Sequence, residues 1–160
     1  MRATELQGNP RLKELQSFPA IGWDFDLTLV DSPASLVLQQ FIAANPQIRH
    51  VIVTFRTHGL VNRVWSDLAR YPVGLTQANF ADFLHIEEDA WVAFTRCEQA
   101  REMGTLKGPQ RPAEVYYNEW KGMVCANNSL PVLVDDKVDH VQQGCAKYGI
   151  KLFDPLDFLG

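Results

Sequence analysis

The sequence is poor in cysteine, lacks a long apolar run, and carries no block of like charge. Its three cysteines, Cys97, Cys125 and Cys145, are odd in number, scattered, and without metal-ligand spacing. They read as buried or idle thiols in a reducing compartment. The longest uncharged stretch, residues 32–48, is broken by Gln39, Gln40, Asn45 and two prolines, so it is no bilayer span. The first twenty residues carry Arg2, Glu5, Arg11, Lys13 and Glu14, and no apolar block of signal-peptide length. Fifteen basic against nineteen acidic residues leave a net charge of −4, which gives no support for broad attraction to nucleic acid or an anionic membrane. No internal repeat or low-complexity tract is present. A soluble, cytoplasmic domain is expected.

At 160 residues the chain is long enough to bury a real core as one domain. Residues 1–20 read as a lead-in, with a helical turn or two over 11–17. Short apolar runs at 20–23, 50–54 and 131–135, with shorter ones at 73–76 and 150–153, read as buried strands. Helices are expected from Pro33 (with Ser32 as N-cap) to Ala44, after Gly59 to Tyr71, from Glu87 to Met103, from Pro112 to Ala126, and over 138–148. The glycines and prolines of 104–112 mark a loop. Strands alternating with helices predict parallel βαβ units in an α/β, doubly wound, Rossmann-like three-layer sandwich. Ligands of such sheets sit beyond the carboxyl ends of the strands.

The residues that end the strands are therefore the informative ones. Asp24, Asp26 and Thr28 follow the first strand, Thr54 the second, and Asp135 with Asp136 the run at 131–135. Each has a plain structural use. Asp-x-Asp suits turns and helix caps, and Asp135-Asp136 could cap the helix at 138. The stripe of Trp91, Phe94 and Cys97 reads as core, and His50, His85 and His140 as structural or exposed.

Together, in this order, the motifs resemble the haloacid dehalogenase-like (HAD) superfamily of phosphohydrolases. Its first motif, an apolar strand followed by D-x-D-x-T, is matched by Asp24-Phe25-Asp26-Leu27-Thr28. Its second, a strand ending in Ser or Thr, is matched by Thr54, and its fourth, a strand ending in an acidic pair, by Asp135-Asp136. The match spans residue 21 to about 153. The resemblance implies a Mg²⁺-dependent phosphomonoester hydrolase in which Asp24 attacks phosphorus to form an aspartyl-phosphate. Asp26 then protonates the leaving oxygen and later activates water. It implies Mg²⁺ held by the carboxylates of Asp24 and Asp135 and the main-chain carbonyl of Asp26, a choice suited to a hard cation. Thr54 and a motif lysine would bind the phosphoryl group. Lys121, on the helix before the acidic strand, is the first choice, with Lys107 and Lys137 as alternatives. Thr28, Asp136 and Arg56 are supporting residues by the same resemblance. A module of this fold that binds phosphate or metal without turnover is the competing expectation. A response-regulator-type phosphoacceptor is a weaker one, because the order of its acids differs.

Relatives in that family carry specificity caps after the first or second motif. Here 27 residues separate Asp26 from Thr54, which leaves no room for one. Another 66 lie between Thr54 and Lys121, enough for a small insertion within 77–112 but not a full cap. In the family such open sites go with macromolecular substrates or with homo-oligomers that cover the cleft. The expected partner is a phosphorylated small molecule or macromolecule, with no membrane and no indication of nucleic acid.

Overall fold

The computed structural model describes residues 8–160; residues 1–7, part of the expected lead-in, lie outside them. Five strands form one parallel sheet: β1 (Ala20–Trp23), β2 (Arg49–Thr54), β3 (Asp82–His85), β4 (Val132–Val134) and β5 (Lys151–Phe153). Their spatial order is β3-β2-β1-β4-β5, so the chain runs outward from the centre, returns, and runs outward on the other side. Seven helices accompany them among the described residues: α1 (Pro10–Gln16), α2 (Ser35–Ala44), α3 (His58–Val61), α4 (Val64–Ala69), α5 (Glu88–Glu102), α6 (Pro112–Asn127) and α7 (Val138–Tyr148).

The period of two along each strand sorts the core into two layers. Ile21, Trp23, Ile52, Val132 and Val134 face one side and pack with Leu12, Leu15, Leu38, Phe41, Val64 and Leu68 from α1, α2 and α4. Ala20, Val51, Val53 and Leu133 face the other, against Phe94, Tyr117, Trp120, Cys125, Val141 and Cys145 from α5, α6 and α7. Helices thus cover both faces, as the alternating pattern predicts for a doubly wound sandwich. β1 is buried along its whole length, consistent with a central strand. No described helix is long and apolar enough to cross a membrane.

Three local expectations need correction. The helix after the first motif begins at Ser35 rather than Pro33. Ser32 serves a turn, its Oγ accepting from Ala34 N at 3.2 Å and its N–H donating to Ser35 Oγ at 3.0 Å. The helix expected after Gly59 is two short pieces, α3 and α4, with Asn62 and Arg63 between them. Strand three is not 73–76 but Asp82–His85. It is an edge strand, only half covered, so its four residues carry too weak an apolar pattern to register.

Candidate active site

β1 and β4 are adjacent, so their carboxyl ends bring the two acidic motifs together. The ladder runs past the strands proper: Asp24 N donates to Val134 O at 2.9 Å and Asp135 N to Phe153 O at 3.0 Å. That fixes both aspartates at the top of the sheet. Phe25 O then accepts N–H groups from Thr28, Leu29 and Val30, closing a tight loop in which Leu27 has φ +58°. α2 holds the loop from behind, with Ser35 Oγ donating to Thr28 O at 2.9 Å and Gln39 Nε2 to Leu29 O at 2.7 Å.

Lys121 reaches up from α6 between the acids. Its Nζ donates to Asp24 Oδ1 at 2.6 Å and to Asp135 Oδ2 at 2.5 Å, and the residue is 1% exposed. It also sits 4.4 Å from the centre of the Phe55 ring. Thr28 Oγ1 donates to the other oxygen of Asp24 at 3.0 Å and approaches Asp136 Oδ1 at 3.5 Å. Asp135 Oδ1 accepts Lys137 N at 2.8 Å, so Asp135, not Asp136, tethers the entrance to α7. Of the three lysines considered, the sheet gathers Lys121 into the cluster. Lys137 lines the adjoining cavity, and Lys107 is exposed in the loop before α6.

Burial dominates the electrostatics. It raises the Asp24 carboxyl, Lys121 pulls it part of the way back and neighbouring Asp136 adds to the rise, leaving it at about 6. Asp135 is likewise pushed up to about 6 by burial, against the pull of Lys121. For Lys121 burial works downward, but Asp135 and Asp24 outweigh it and hold the ammonium above its ordinary range.

One carboxylate oxygen from each of Asp24, Asp135 and Asp136 lies within 4.8 Å of the others. Three carboxylates against one ammonium leave an excess of two negative charges, and all the donors are hard oxygens. This donor set fits a divalent oxygen-seeking cation. The side chain of Asp26, two residues from Asp24, is not in the cluster. It faces Arg56, whose Nε and Nη2 grip Asp26 Oδ2 and Oδ1 at 2.9 and 2.8 Å. Arg56 Nη2 also reaches Asp67 Oδ2 on α4 at 2.8 Å, and the guanidinium lies 4.5 Å from the Phe25 ring centre.

A cavity of about 230 Å³ opens above these groups. Asp24, Asp26, Thr54 and Arg56 give it a polar side, while Phe55, Leu60, Trp91 and Tyr117 give it an apolar one. Thr54 Oγ1 accepts Arg56 N at 3.0 Å. Its hydroxyl proton is donated to no described residue. Trp91, read from sequence as core, is 39% exposed on the cavity rim, whereas Phe94 of the same stripe is buried. Tyr117 was legible in principle, since it stands one helical turn before Lys121 on the same face. Asp67 carried no signal, because its role depends on the pairing with Arg56. Compared with known proteins, the chain matches no family model, and no curated protein or solved structure matches it.

Proposed function

We propose that the chain is a Mg²⁺-dependent phosphomonoester hydrolase of the haloacid dehalogenase-like type, working through Asp24. The observation that carries this reading is Lys121 bridging Asp24 and Asp135 beneath a cavity that Asp26 and Thr54 also line. Phosphoryl transfer asks chiefly for placement and for charge neutralisation, and these residues supply both. An Asp24 oxygen attacks phosphorus; the ester P–O bond breaks and the leaving oxygen takes a proton from Asp26. Water then gives a proton to Asp26 and attacks phosphorus, breaking the bond to Asp24 and releasing phosphate. The Thr54 hydroxyl donates to a phosphoryl oxygen. Asp24, Asp135 and Asp136, with the Asp26 carbonyl, would hold Mg²⁺, which supplies charge neutralisation to the phosphoryl group when bound. Lys121 keeps Asp24 oriented from below and offsets the acids' mutual repulsion.

We read the activity as cytoplasmic, a reading supported by three scattered cysteines that form no pair. One observation favours the second reading, a binding module with little turnover: Arg56 grips both oxygens of Asp26, the atoms through which the acid–base steps would pass. A panel of phosphomonoesters with Mg²⁺, run beside Asp24→Asn, decides between them. Phosphate release that disappears in Asp24→Asn is the expected result; a wild type as silent as the variant across the panel leaves the binding module standing.

A further inference from the structure

Phe55, Tyr117 and Phe94 form a continuous stack. Tyr117 lies 3.7 Å from Phe94 at 4° and 4.1 Å from Phe55 at 14°, measured between ring centres. Both faces of the tyrosine ring are covered, so what it offers the cavity is its edge and hydroxyl. Lys121 seals Phe55 from the far side at 4.4 Å. The stack is therefore a fixed wall, braced by the same lysine that sets the acids. It begins at Phe55, the residue after Thr54. Trp91, one helical turn before Phe94, and Leu60 complete the apolar side and leave large surfaces uncovered, at 39% and 48% exposure. Trp91 and Leu60 thus present apolar surface together at one cavity, and tryptophan is a residue type enriched at contact surfaces. The cavity, at about 230 Å³, lies below the roughly 300–1,000 Å³ usual for drug-sized ligands, so it suits one compact group beyond the phosphate.

We propose that the group leaving phosphorus is aromatic: the site takes an aryl phosphate monoester, its ring seated on Trp91 and Leu60 against the edge of the Phe55–Tyr117–Phe94 stack. This rests on the phosphatase reading above and names its substrate class. Aryl phosphates come as free small molecules or as phosphotyrosine on a protein, and the wall fits the ring they share.

Phenylphosphonate and methylphosphonate carry the two kinds of substituent and have no ester to cleave, so their binding does not depend on turnover. Calorimetric titration of the whole protein with Mg²⁺ should show phenylphosphonate binding at least about fivefold tighter. In Trp91→Ala the ratio should collapse towards one. Hydrolysis of free phosphotyrosine and of a phosphotyrosyl peptide, each ahead of phosphoserine, supports the proposal, and their relative rates identify the source. Equal affinities in the wild type, or a preference that survives Trp91→Ala, overturns it. Asp24-dependent release of phosphate from glycerol phosphate would then leave the phosphatase reading intact. If neither phosphonate binds and no ester is cleaved, both readings fall.

Discussion

Lys121 is buried with two carboxylates that have lost most of their water, and each member is tolerable only because of the others. Removing the ammonium leaves Asp24 and Asp135 facing each other unpaired. Lys121→Met is expected to lower unfolding stability by about 3–5 kcal/mol in urea titrations, since breaking a buried pair costs more than the pair contributes. The double variant with Asp24→Asn should lose less than the sum, a coupling that a double-mutant cycle reads directly. Leu27 presents the opposite case. It holds φ +58° with its side chain half exposed, a conformation costing a branched residue roughly 1–2 kcal/mol. Leu27→Gly should therefore leave the melting temperature unchanged or raise it, while Leu29→Ala, two residues on and fully buried, should cost about 2–5 kcal/mol. At this scale the acids and threonines were legible because each follows a β-branched or apolar run, and the sheet then stacks those ends. The grip of Arg56 on Asp26 was not. It needs Asp67, which the helix break at Asn62 and Arg63 turns into reach.

Among the elements, α6 does most to place the site, and its position depends on α7. The two cross at Gly122 and Gly144, where a Cβ on Gly144 would lie 2.7 Å from the Glu119 backbone. Gly144→Ala must push the helices apart, and overpacking of this kind costs about 1–3 kcal/mol. Because Lys121 adjoins Gly122, the same variant should weaken Mg²⁺ binding by more than its stability loss explains, which titration at a temperature well below melting would reveal. A second tie fixes the start of α6: Arg101 on α5 binds Glu114 through Nε at 2.5 Å and Nη2 at 2.8 Å. That hydrogen bond, with one from Arg111 N, holds the Glu114 carboxyl down at about 2. A depressed folded value gives stability that is present above the ordinary 4.5 and is lost as pH falls towards 2. Wild type should thus exceed Glu114→Gln in stability at pH 6 and approach it near pH 2. The sequence showed α5 and α6 with nearly correct ends, because the Gly- and Pro-rich loop of 104–112 separates them and α6 opens on a proline. It hid β3, whose short, half-covered run looks like loop.

For the whole molecule, the excess negative charge at the carboxyl edge of the sheet links stability to the proposed metal binding. A ligand that binds only the folded state at a hundred times its dissociation constant adds about 2.7 kcal/mol. For a chain of this size that is roughly 5–10 °C in melting temperature. Mg²⁺ is expected to produce such a shift, and Asp135→Asn to remove it. The shift should depend on pH. Asp24 and Asp135 have folded values raised to about 6, so without metal their contribution is full below about 3.8 and is lost as pH rises through 6. Metal needs the ionised carboxylates, so the gain from Mg²⁺ should be small at pH 5 and grow towards pH 7. Scanning melts with Mg²⁺ or with chelator across that range measure the difference.

The order of the sheet also has a history in time. β1, its central strand, is made early, and β2 can pair with it soon after. Its other neighbour, β4, is more than a hundred residues further along the chain. Until that segment leaves the ribosome, one edge of β1 stays open, with Ile21 and Trp23 beside it. Closing so distant a parallel pair is slow, and waiting edges invite wrong partners. A nascent chain halted before Val132 should thus bind chaperones and be cut readily by protease. Release of the remaining residues should end both at once, because β4, which arrives late, is the strand that closes the open side of β1.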